Sequence, residues 1–350
     1  MTPIFIALLG SYNALGEPSY TQQKFVESVI VREVVPNEPK EPGFELIEPK
    51  DYRVTMTEFL TAKGTPNGEY TVVIADPPNL PTQKVFKHDF RFTPSAKIVR
   101  DIKVTVNGQL VHRITVQSSA ELTTLTSVSD VRLWKQTSNL VPDGVPEMPP
   151  FQTLGTTGQC LYTSKSFQAW MDGNADLKKV PDDNWMTYFQ KAYGVFGNKW
   201  DYSKSPAIGT FDLDHILKSR NAGCSSASLV LTGALRSQNI PTIQVYGGYV
   251  SPRTAAHAFN FSKLDPYGWK LLDPTRALGG DSAVVPPEYF FVHHVIQGGS
   301  MENPLRANNM LLASTDAHHI ALLEGTGILH VGTNYSTISA VPISLPKSGW

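Results

Sequence analysis

The sequence predicts an α+β protein, with strand-rich and helix-containing parts following one another along the chain. Alternating apolar and polar residues at 86–92, and on both sides of an Asn-Gly pair at 107–108, indicate antiparallel strands. Apolar residues recur at helical spacing over 224–238 and indicate a helix, and three short apolar runs after it indicate strands. Segregation of strands and helices into successive parts of a chain is typical of this fold class.

The first 157 residues divide by composition into three parts. Residues 1–50 carry a Pro- and Glu-rich stretch and are predicted to be an extended lead-in. Residues 51–137 are predicted to be an all-β, sandwich-like domain, because Asn-Gly between alternating runs is a strong hairpin signal. The Pro/Gly-rich residues 138–157 are predicted to be a linker.

The remaining chain is predicted to form a second domain at 158–305 and a C-terminal extension of strands at 306–350. Helices are predicted at 164–171, at 183–196 with Asp183 as its N-cap, at 211–220 and at 224–238. Strands are predicted at 243–249, 255–261 and 270–272, and again near 319–323, 328–331 and 338–345.

Three residues of the second domain have the chemistry of an activated thiol nucleophile. Cys224 opens a predicted helix, where the helix dipole and unpaired N–H groups favour a thiolate. His257 enters a predicted strand and Asp273 ends another, so they supply an imidazole for proton transfer and a carboxylate to orient it. Singly, each residue has an ordinary structural interpretation, as a buried thiol, a hydrogen-bonded histidine or a strand end. Jointly, they favour a catalytic site.

The motifs around these residues resemble those of the transglutaminase-like superfamily, a branch of the papain-like thiol enzymes. The matching motifs are Gly223-Cys224, Asn239-Ile240-Pro241, Gly248-Tyr249, His257-Ala258-Phe259, and Trp269 through Asp273-Pro274-Thr275. Two departures are the glycine directly before Cys224 and the phenylalanine at 259, where tryptophan is usual. The resemblance implies a catalytic Cys–His–Asp triad and a cysteine-bearing helix packed on an antiparallel sheet.

Acyl chemistry also needs hydrogen-bond donors for the oxygen that becomes negative in the transition state. The backbone N–H of Cys224 is one candidate, because it lies at a predicted helix start. The resemblance implies a second donor from an upstream segment, for which Trp200 and Tyr202 are candidates and Gln159 a further one. The alternative for these three is that they are core aromatic residues and an ordinary loop residue.

Charge and composition argue against several function classes. The 350 residues carry a net charge of −1, so nothing suggests binding to nucleic acid or to an anionic membrane surface. No apolar run reaches the 18 or more residues of a membrane span, and no glycine-rich motif suggests a nucleotide cofactor. Localisation is open, and the cysteine count favours the cytoplasm. The apolar run 4–10 leaves secretion as the alternative, although no Lys or Arg precedes Lys24 to form the basic start of a signal peptide.

No metal site is predicted. Acidic residues and Asn174 occur at calcium-loop spacings over 172–183, but Leu177 occupies the position that requires glycine. The pairs His293-His294 and His318-His319 are adjacent in sequence, and neighbours on a strand face opposite ways, so neither is expected to share a metal ion. Cys160, the second cysteine, is predicted to be a lone buried thiol.

The sequence therefore predicts a thiol enzyme that transfers acyl groups from the amide bonds of proteins or peptides through a thioester on Cys224. The resemblance favours hydrolysis, as in a cysteine peptidase or amidase. The alternatives are cross-linking by a protein-glutamine γ-glutamyltransferase and a non-catalytic protein-interaction module on the same fold. No cofactor is predicted, and the oligomeric state is open.

Overall fold

The computed structural model describes most of the chain from residue 46 onward. The described residues are 46–63, 68–93, 96–106, 109–118, 122–136, 154, 160–199, 213–218, 223–250, 256–278, 288–296, 320–325, 328–331 and 337–346. All of them belong to one compact unit that spans residues 40–350. The predicted lead-in up to residue 45 and all but one residue of the predicted linker lie outside the described residues.

Six strands make up almost all of the described chain before residue 137. They are β1 (Leu46–Lys63), β2 (Gly68–Ala75), β3 (Gln83–Thr93), β4 (Lys97–Val106), β5 (Gln109–Ser118) and β6 (Leu122–Gln136). Strands β4 and β5 pair antiparallel with Val106 opposite Gln109, which confirms the predicted hairpin, although its two turn residues lie outside the described part of the chain.

These strands form two antiparallel sheets, and each sheet is completed by strands from the end of the chain. The first sheet has the order β12 (Ile328–Val331), β1, β6, β3, and β13 (Thr337–Pro342) also pairs with β1. The second has the order β11 (Ile320–Gly325), β2, β5, β4. Val72 and Ile114 of the second sheet share a buried apolar cluster with Leu125 of the first. The two sheets therefore have a common core.

The middle of the chain supplies five helices and a third antiparallel sheet among the described residues. The helices are α1 (Lys165–Asp172), α2 (Trp185–Lys199), α3 (Leu213–Lys218), α4 (Cys224–Ser237) and α5 (Thr275–Leu278), with a 3₁₀ turn at Ala175–Leu177. The sheet has the order β10 (Phe290–Ile296), β7 (Thr242–Tyr249), β8 (Ala256–Lys263), β9 (Trp269–Leu272). The predicted α+β class is thus confirmed.

The helix starts follow local capping rules, with one correction. Ser164 caps α1, because its hydroxyl accepts a hydrogen bond from the N–H of Phe167. Asp183 was predicted to cap α2, but the side-chain oxygen of Asn184 accepts from the N–H of Thr187 at 2.8 Å. Asp183 instead forms an ion pair with Lys191 of α2, at 2.7 Å. Asn and Asp are equally good caps, so the sequence does not distinguish neighbours of these two types.

Helix α4 is buried on every side and meets the third sheet through its polar residues. Its apolar side joins a buried cluster with the other helices, formed with residues such as Phe167 and Tyr188. Its polar stripe faces β7 and β8: the Ser228 hydroxyl donates to the carbonyl of Ala258 at 3.1 Å. In return, the buried Asn260 amide donates to the Ser228 carbonyl at 2.9 Å. Hydrogen bonds as well as apolar contacts therefore fix the start of α4 relative to the sheet.

A β-bulge brings together two histidines that were expected to face opposite ways. The register of β10 against β7 shifts between Val292 and His294, so His293 is the extra residue. The Nδ1 atoms of His293 and His294 lie 2.5 Å apart, and both side chains are buried. The alternation rule for strand neighbours fails here because a bulge breaks the alternation.

Two buried glutamines of the first sheet hydrogen-bond to the two edge strands of the third. Gln83 donates to the carbonyl of Val292 in β10 at 2.8 Å and accepts from its N–H at 2.7 Å. Gln136 does the same to Leu271 in β9, at 3.2 and 3.0 Å. Each side-chain amide makes the two backbone hydrogen bonds that a residue of a further strand would make. We call this pair the glutamine clasp.

Candidate active site

Cys224 lies at the first position of α4 and is partly exposed. Gly223 before it is the N-cap residue, has extended backbone angles and offers no side chain for capping. The N–H groups of the first helical turn have no partner within the helix. The thiol therefore lies at the end of the helix where donors are unpaired and the helix dipole is positive.

His257 contacts both of the other predicted site residues. Its Nε2 atom lies 3.1 Å from Oδ2 of Asp273, and its side chain is 10% exposed. The ring is also hydrogen-bonded to Cys224. Burial by itself would lower the pKa of His257, but the hydrogen bonds to Asp273 and Cys224 and the negative charges of those groups raise it to about 10. The geometry therefore favours a protonated imidazole beside the sulfur.

The carboxylate of Asp273 is buried and surrounded by donors. Oδ1 accepts hydrogen bonds from the N–H of Thr275 at 3.0 Å and from its hydroxyl at 2.6 Å. Oδ2 accepts from the hydroxyl of Tyr249 at 3.1 Å and faces the His257 ring. Asp273 is 1% exposed, so these donors take the place of water around a buried negative charge.

Aromatic side chains enclose the imidazole of His257. The ring of Phe259, two residues along β8, meets it edge-on with centroids 4.5 Å apart. The ring of Tyr249 lies 5.5 Å away and tilted by 32°. Phe290 packs edge-on against Phe259 at 4.0 Å. This apolar wall excludes water from one side of the imidazole and makes its charged partners more effective.

The other cysteine differs from Cys224 in every respect that matters for reactivity. Cys160 is 1% exposed and lies in the apolar cluster between the helices. Burial raises its pKa to about 11, against a smaller opposite effect of Arg236. A thiol of this kind is almost fully protonated at neutral pH and inaccessible to reagents.

Several of the residues singled out in the sequence lie in parts of the chain that the structure does not describe. Trp200, Tyr202, Gln159 and the pair His318-His319 lie outside the described residues. Within the described ranges, no group of three or more His, Cys, Asp or Glu side chains is arranged to hold a metal ion. The acidic residues at calcium-loop spacing include Asp172, which pairs with Lys178 at 2.6 Å.

Tyr249 and Thr275 both contact Asp273, and the sequence did not predict a role for either. The hydroxyl of Thr275 lies 2.6 Å from one carboxylate oxygen and 3.2 Å from Nε2 of His257. Both residues stand inside the motifs Gly248-Tyr249 and Asp273-Pro274-Thr275. The signal that could have identified Thr275 was its position two residues after the aspartate, since an Asp side chain commonly accepts a hydrogen bond from the backbone N–H at that spacing.

Comparisons with known proteins find a matching family model and similar folds. Residues 178–274 match the model of the Transglutaminase-like superfamily. A crystal structure of a candidate cysteine protease from Cytophaga hutchinsonii superposes with a TM-score of 0.56 at 11% identity, covering 87% of this chain and 94% of that one. This likeness shows a shared fold.

The periplasmic domain of TgpA from Pseudomonas aeruginosa, bound to ethylmercury, is similar over 66% of this chain and 91% of its own, at 16% identity and a TM-score of 0.31. A comparison with curated proteins finds no match. Within the part of the chain that the structure describes, no helix has the length and apolar character to cross a membrane. The resemblance inferred from the motifs is confirmed: the segment that matches this family model contains Cys224, His257 and Asp273.

Proposed function

We propose that the protein is a cysteine enzyme that transfers acyl groups from amide bonds of proteins or peptides, with water as the acceptor. In this proposal Cys224 is the nucleophile, His257 the proton carrier and Asp273 the residue that orients the imidazole. The observation that carries the proposal is the double contact of His257, with Nε2 on Asp273 and a further hydrogen bond to Cys224. An imidazole held in this way can stabilise a thiolate on one side because a carboxylate stabilises its own charge on the other.

The reaction would proceed in two halves. The Cys224 thiolate attacks the carbonyl carbon of the amide, and the resulting oxyanion is stabilised by the N–H groups at the start of α4. The imidazolium of His257 gives its proton to the leaving nitrogen, the C–N bond breaks, and a thioester remains on the sulfur. Neutral His257 then takes a proton from water, which attacks the thioester, and the free thiolate and a carboxylic acid are formed.

The same intermediate would allow cross-linking if a primary amine replaced water. Hydrolysis is preferred here because the motifs resemble relatives that are hydrolases, and the similar structure from Cytophaga hutchinsonii is named as a candidate cysteine protease. A peptide amide incubated with a labelled primary amine distinguishes the two reactions. Release of acid in excess over labelled product supports hydrolysis, and the reverse ratio supports a protein-glutamine γ-glutamyltransferase.

A thiol-labelling experiment tests the proposal independently of any substrate. We expect iodoacetamide at pH 7 to alkylate Cys224 in the native protein well before Cys160, because only Cys224 is partly exposed and hydrogen-bonded to an imidazole. Turnover of an amide substrate should fall at least about 10³-fold in Cys224→Ala. The matched control Cys160→Ala should retain activity, since that thiol lies in the core.

Two results would contradict the proposal. Equal labelling of both thiols at neutral pH would show that Cys224 is not an activated nucleophile. Substantial turnover by folded Cys224→Ala would show that the reaction does not pass through a thioester on Cys224. A protein that binds peptides without either reactivity would instead be a non-catalytic interaction module on this fold.

The same proposal includes a role for the strand-rich part of the chain. Strands β1–β6 would form a sandwich-like module, supported by the buried cluster that joins residues of both sheets. The predicted boundary at 138–157 would separate this module from the catalytic domain in sequence. The module would support the catalytic sheet through the glutamine clasp.

A further inference from the structure

Tyr249 contacts the candidate site through its hydroxyl, which bonds to Asp273. It is the last residue of β7, and its hydroxyl donates to Oδ2 of Asp273 at 3.1 Å. The same oxygen lies 3.1 Å from Nε2 of His257. Two donors from different strands therefore share one acceptor atom.

The order of the strands explains how this sharing arises. Strand β8, with His257, lies between β7 and β9, and Asp273 directly follows β9. The Tyr249 side chain thus spans from one neighbour of β8 to the other, with its ring 5.5 Å from the imidazole. Phe259 and Phe290 meet the Tyr249 ring edge-on at 5.4 and 5.6 Å and fix its position.

The Tyr249 hydroxyl keeps its proton throughout the pH range in which activity would be measured. Burial raises its pKa above the ordinary value, and the negative charge of Asp273 raises it further. The hydroxyl is therefore a permanent donor, and the carboxylate next to it accepts.

We infer that Tyr249 is a positioning residue that moderates the Asp273–His257 hydrogen bond and thereby tunes how readily the imidazolium gives up its proton. This inference rests on the proposed function. A carboxylate oxygen shared between two donors binds each less strongly than one donor alone. Without the tyrosine hydroxyl, Asp273 would hold the His257 imidazolium more tightly, and proton transfer to the leaving nitrogen would slow.

The test varies the strength of the donor at position 249. Tyr249→Phe keeps the ring and removes the hydroxyl. We expect the alkaline limb of its kcat/KM profile to move to higher pH by up to about one unit, since one hydrogen bond is redistributed. On an amide substrate, kcat should fall by up to about tenfold with little change in KM. Replacement of Tyr249 by 3-fluorotyrosine, a stronger donor of nearly the same shape, should move the limb to lower pH.

Tyr188→Phe is the matched control for loss of a buried hydroxyl. The Tyr188 hydroxyl donates to the carbonyl of Leu177 at 3.0 Å, in the helical cluster away from the site. This variant should lower the melting temperature and leave the alkaline limb in place. Because 3-fluorotyrosine preserves packing, the shift of its alkaline limb still tests the role of the hydroxyl if Tyr249→Phe does not fold.

The outcomes separate this inference from the proposed function. If neither substitution at 249 moves the alkaline limb relative to Tyr188→Phe, while Cys224 is still labelled selectively, the role of Tyr249 is wrong and the thiol enzyme stands. If Cys224 of the unmodified protein shows no selective labelling, the proposed function itself fails. Opposite shifts in the two substitutions would support the inference, since a purely structural role predicts no dependence on donor strength.

Discussion

The carboxylate of Asp273 is the group on which the candidate site converges. It is held on one side by Thr275, so its orientation does not depend on His257 alone. The imidazole, by contrast, depends on the aspartate, because burial opposes its positive charge and Asp273 and Cys224 restore it. Removal of the negative charge should therefore affect the proton carrier more than the fold.

We expect Asp273→Asn to move the alkaline limb of activity to lower pH. In the native protein the pKa of His257 is about 10, and loss of the Asp273 charge leaves Cys224 alone to oppose burial, so the pKa of His257 falls. The imidazolium then loses its proton at a lower pH, and the window in which it can act as an acid narrows. Turnover should fall about ten- to a thousand-fold, less than in serine enzymes.

The measurement is a pH profile of kcat/KM with folding checked by thermal melt. His257→Ala is the reference for complete loss of the proton carrier and should be less active than Asp273→Asn. Full activity in folded Asp273→Asn would show that the aspartate is a strand end with no catalytic part.

At this scale the sequence was informative because the chemistry is local. Cys224, His257 and Asp273 each stand in a short motif within about fifty residues, and their side-chain types limit the chemistry. The contact of Tyr249 with Asp273 was not predictable, because it crosses a strand and depends on sheet order. A sequence pattern identifies strands more readily than their neighbours.

Among the secondary-structure elements, strand β7 needs a glycine at position 247 because its partner strand β10 comes close to it there. A Cβ atom on Gly247 would lie 1.7 Å from the carbonyl oxygen of Phe291, next to the bulge in β10. The obstacle is backbone, which cannot rotate away as a side chain could. The glycine therefore allows β10 to approach β7 where its register shifts.

Two glycine-to-alanine substitutions should have opposite effects on stability. Gly247→Ala should lower the free energy of unfolding by about 3 kcal/mol or more, because β10 must move to admit the methyl group. Gly194→Ala is the control: Gly194 lies in α2, and an added Cβ meets no atom within 4 Å. That change should raise the free energy of unfolding by about 0.5–1 kcal/mol, because alanine favours helix.

Chemical denaturation of the two variants gives both values. An unchanged free energy of unfolding in Gly247→Ala would mean that β10 accommodates the methyl group and that the bulge does not need glycine.

Periodicity predicted helix α4 well and its surroundings less so. The helix begins at Cys224 as predicted. It has an apolar stripe on one side and a polar stripe on the other. Periodicity does not reveal what a polar stripe faces. In α4 the stripe lies against β7 and β8, where Gln244 donates to the carbonyl of Ser225 at 2.8 Å, because buried polar groups can pair with each other as well as with water.

On the scale of the whole molecule, the glutamine clasp joins the strand-rich part of the chain to the part that contains the candidate site. Both amides are buried, and each satisfies an N–H and a carbonyl of an edge strand. The last strands of the chain also return to the first two sheets. Neither connection has a signature in sequence, because both join residues far apart along the chain.

We expect Gln83→Leu and Gln136→Leu each to lower the free energy of unfolding by about 2 kcal/mol or more. Gln136→Leu removes the hydrogen-bond partner of the N–H and the carbonyl of Leu271. Gln83→Leu removes the partner of the N–H and the carbonyl of Val292 and of the carbonyl of Pro78. Each buried backbone group left without a partner costs about 1–3 kcal/mol. Gln168→Leu is the control, since its amide also donates to a carbonyl but the residue is exposed. It should change stability by less than about 0.5 kcal/mol.

Equilibrium unfolding, followed by circular dichroism and by activity, measures these changes. A loss confined to the control, or no loss in either clasp variant, would mean that the two parts are held together by other contacts.

The glutamine clasp also limits how a peptide could approach the proposed active site. An exposed edge strand is a template to which an extended chain can add as a further strand, and many peptide-binding proteins use it. Here the backbone groups of Leu271 and Val292, one on each edge of the catalytic sheet, are already occupied by side-chain amides. A peptide cannot lengthen the sheet through either residue. A peptide substrate would therefore reach the thiol without adding as a strand at these two residues. For the same reason, the backbone groups of these two residues are not free to pair with a strand of another copy of the chain.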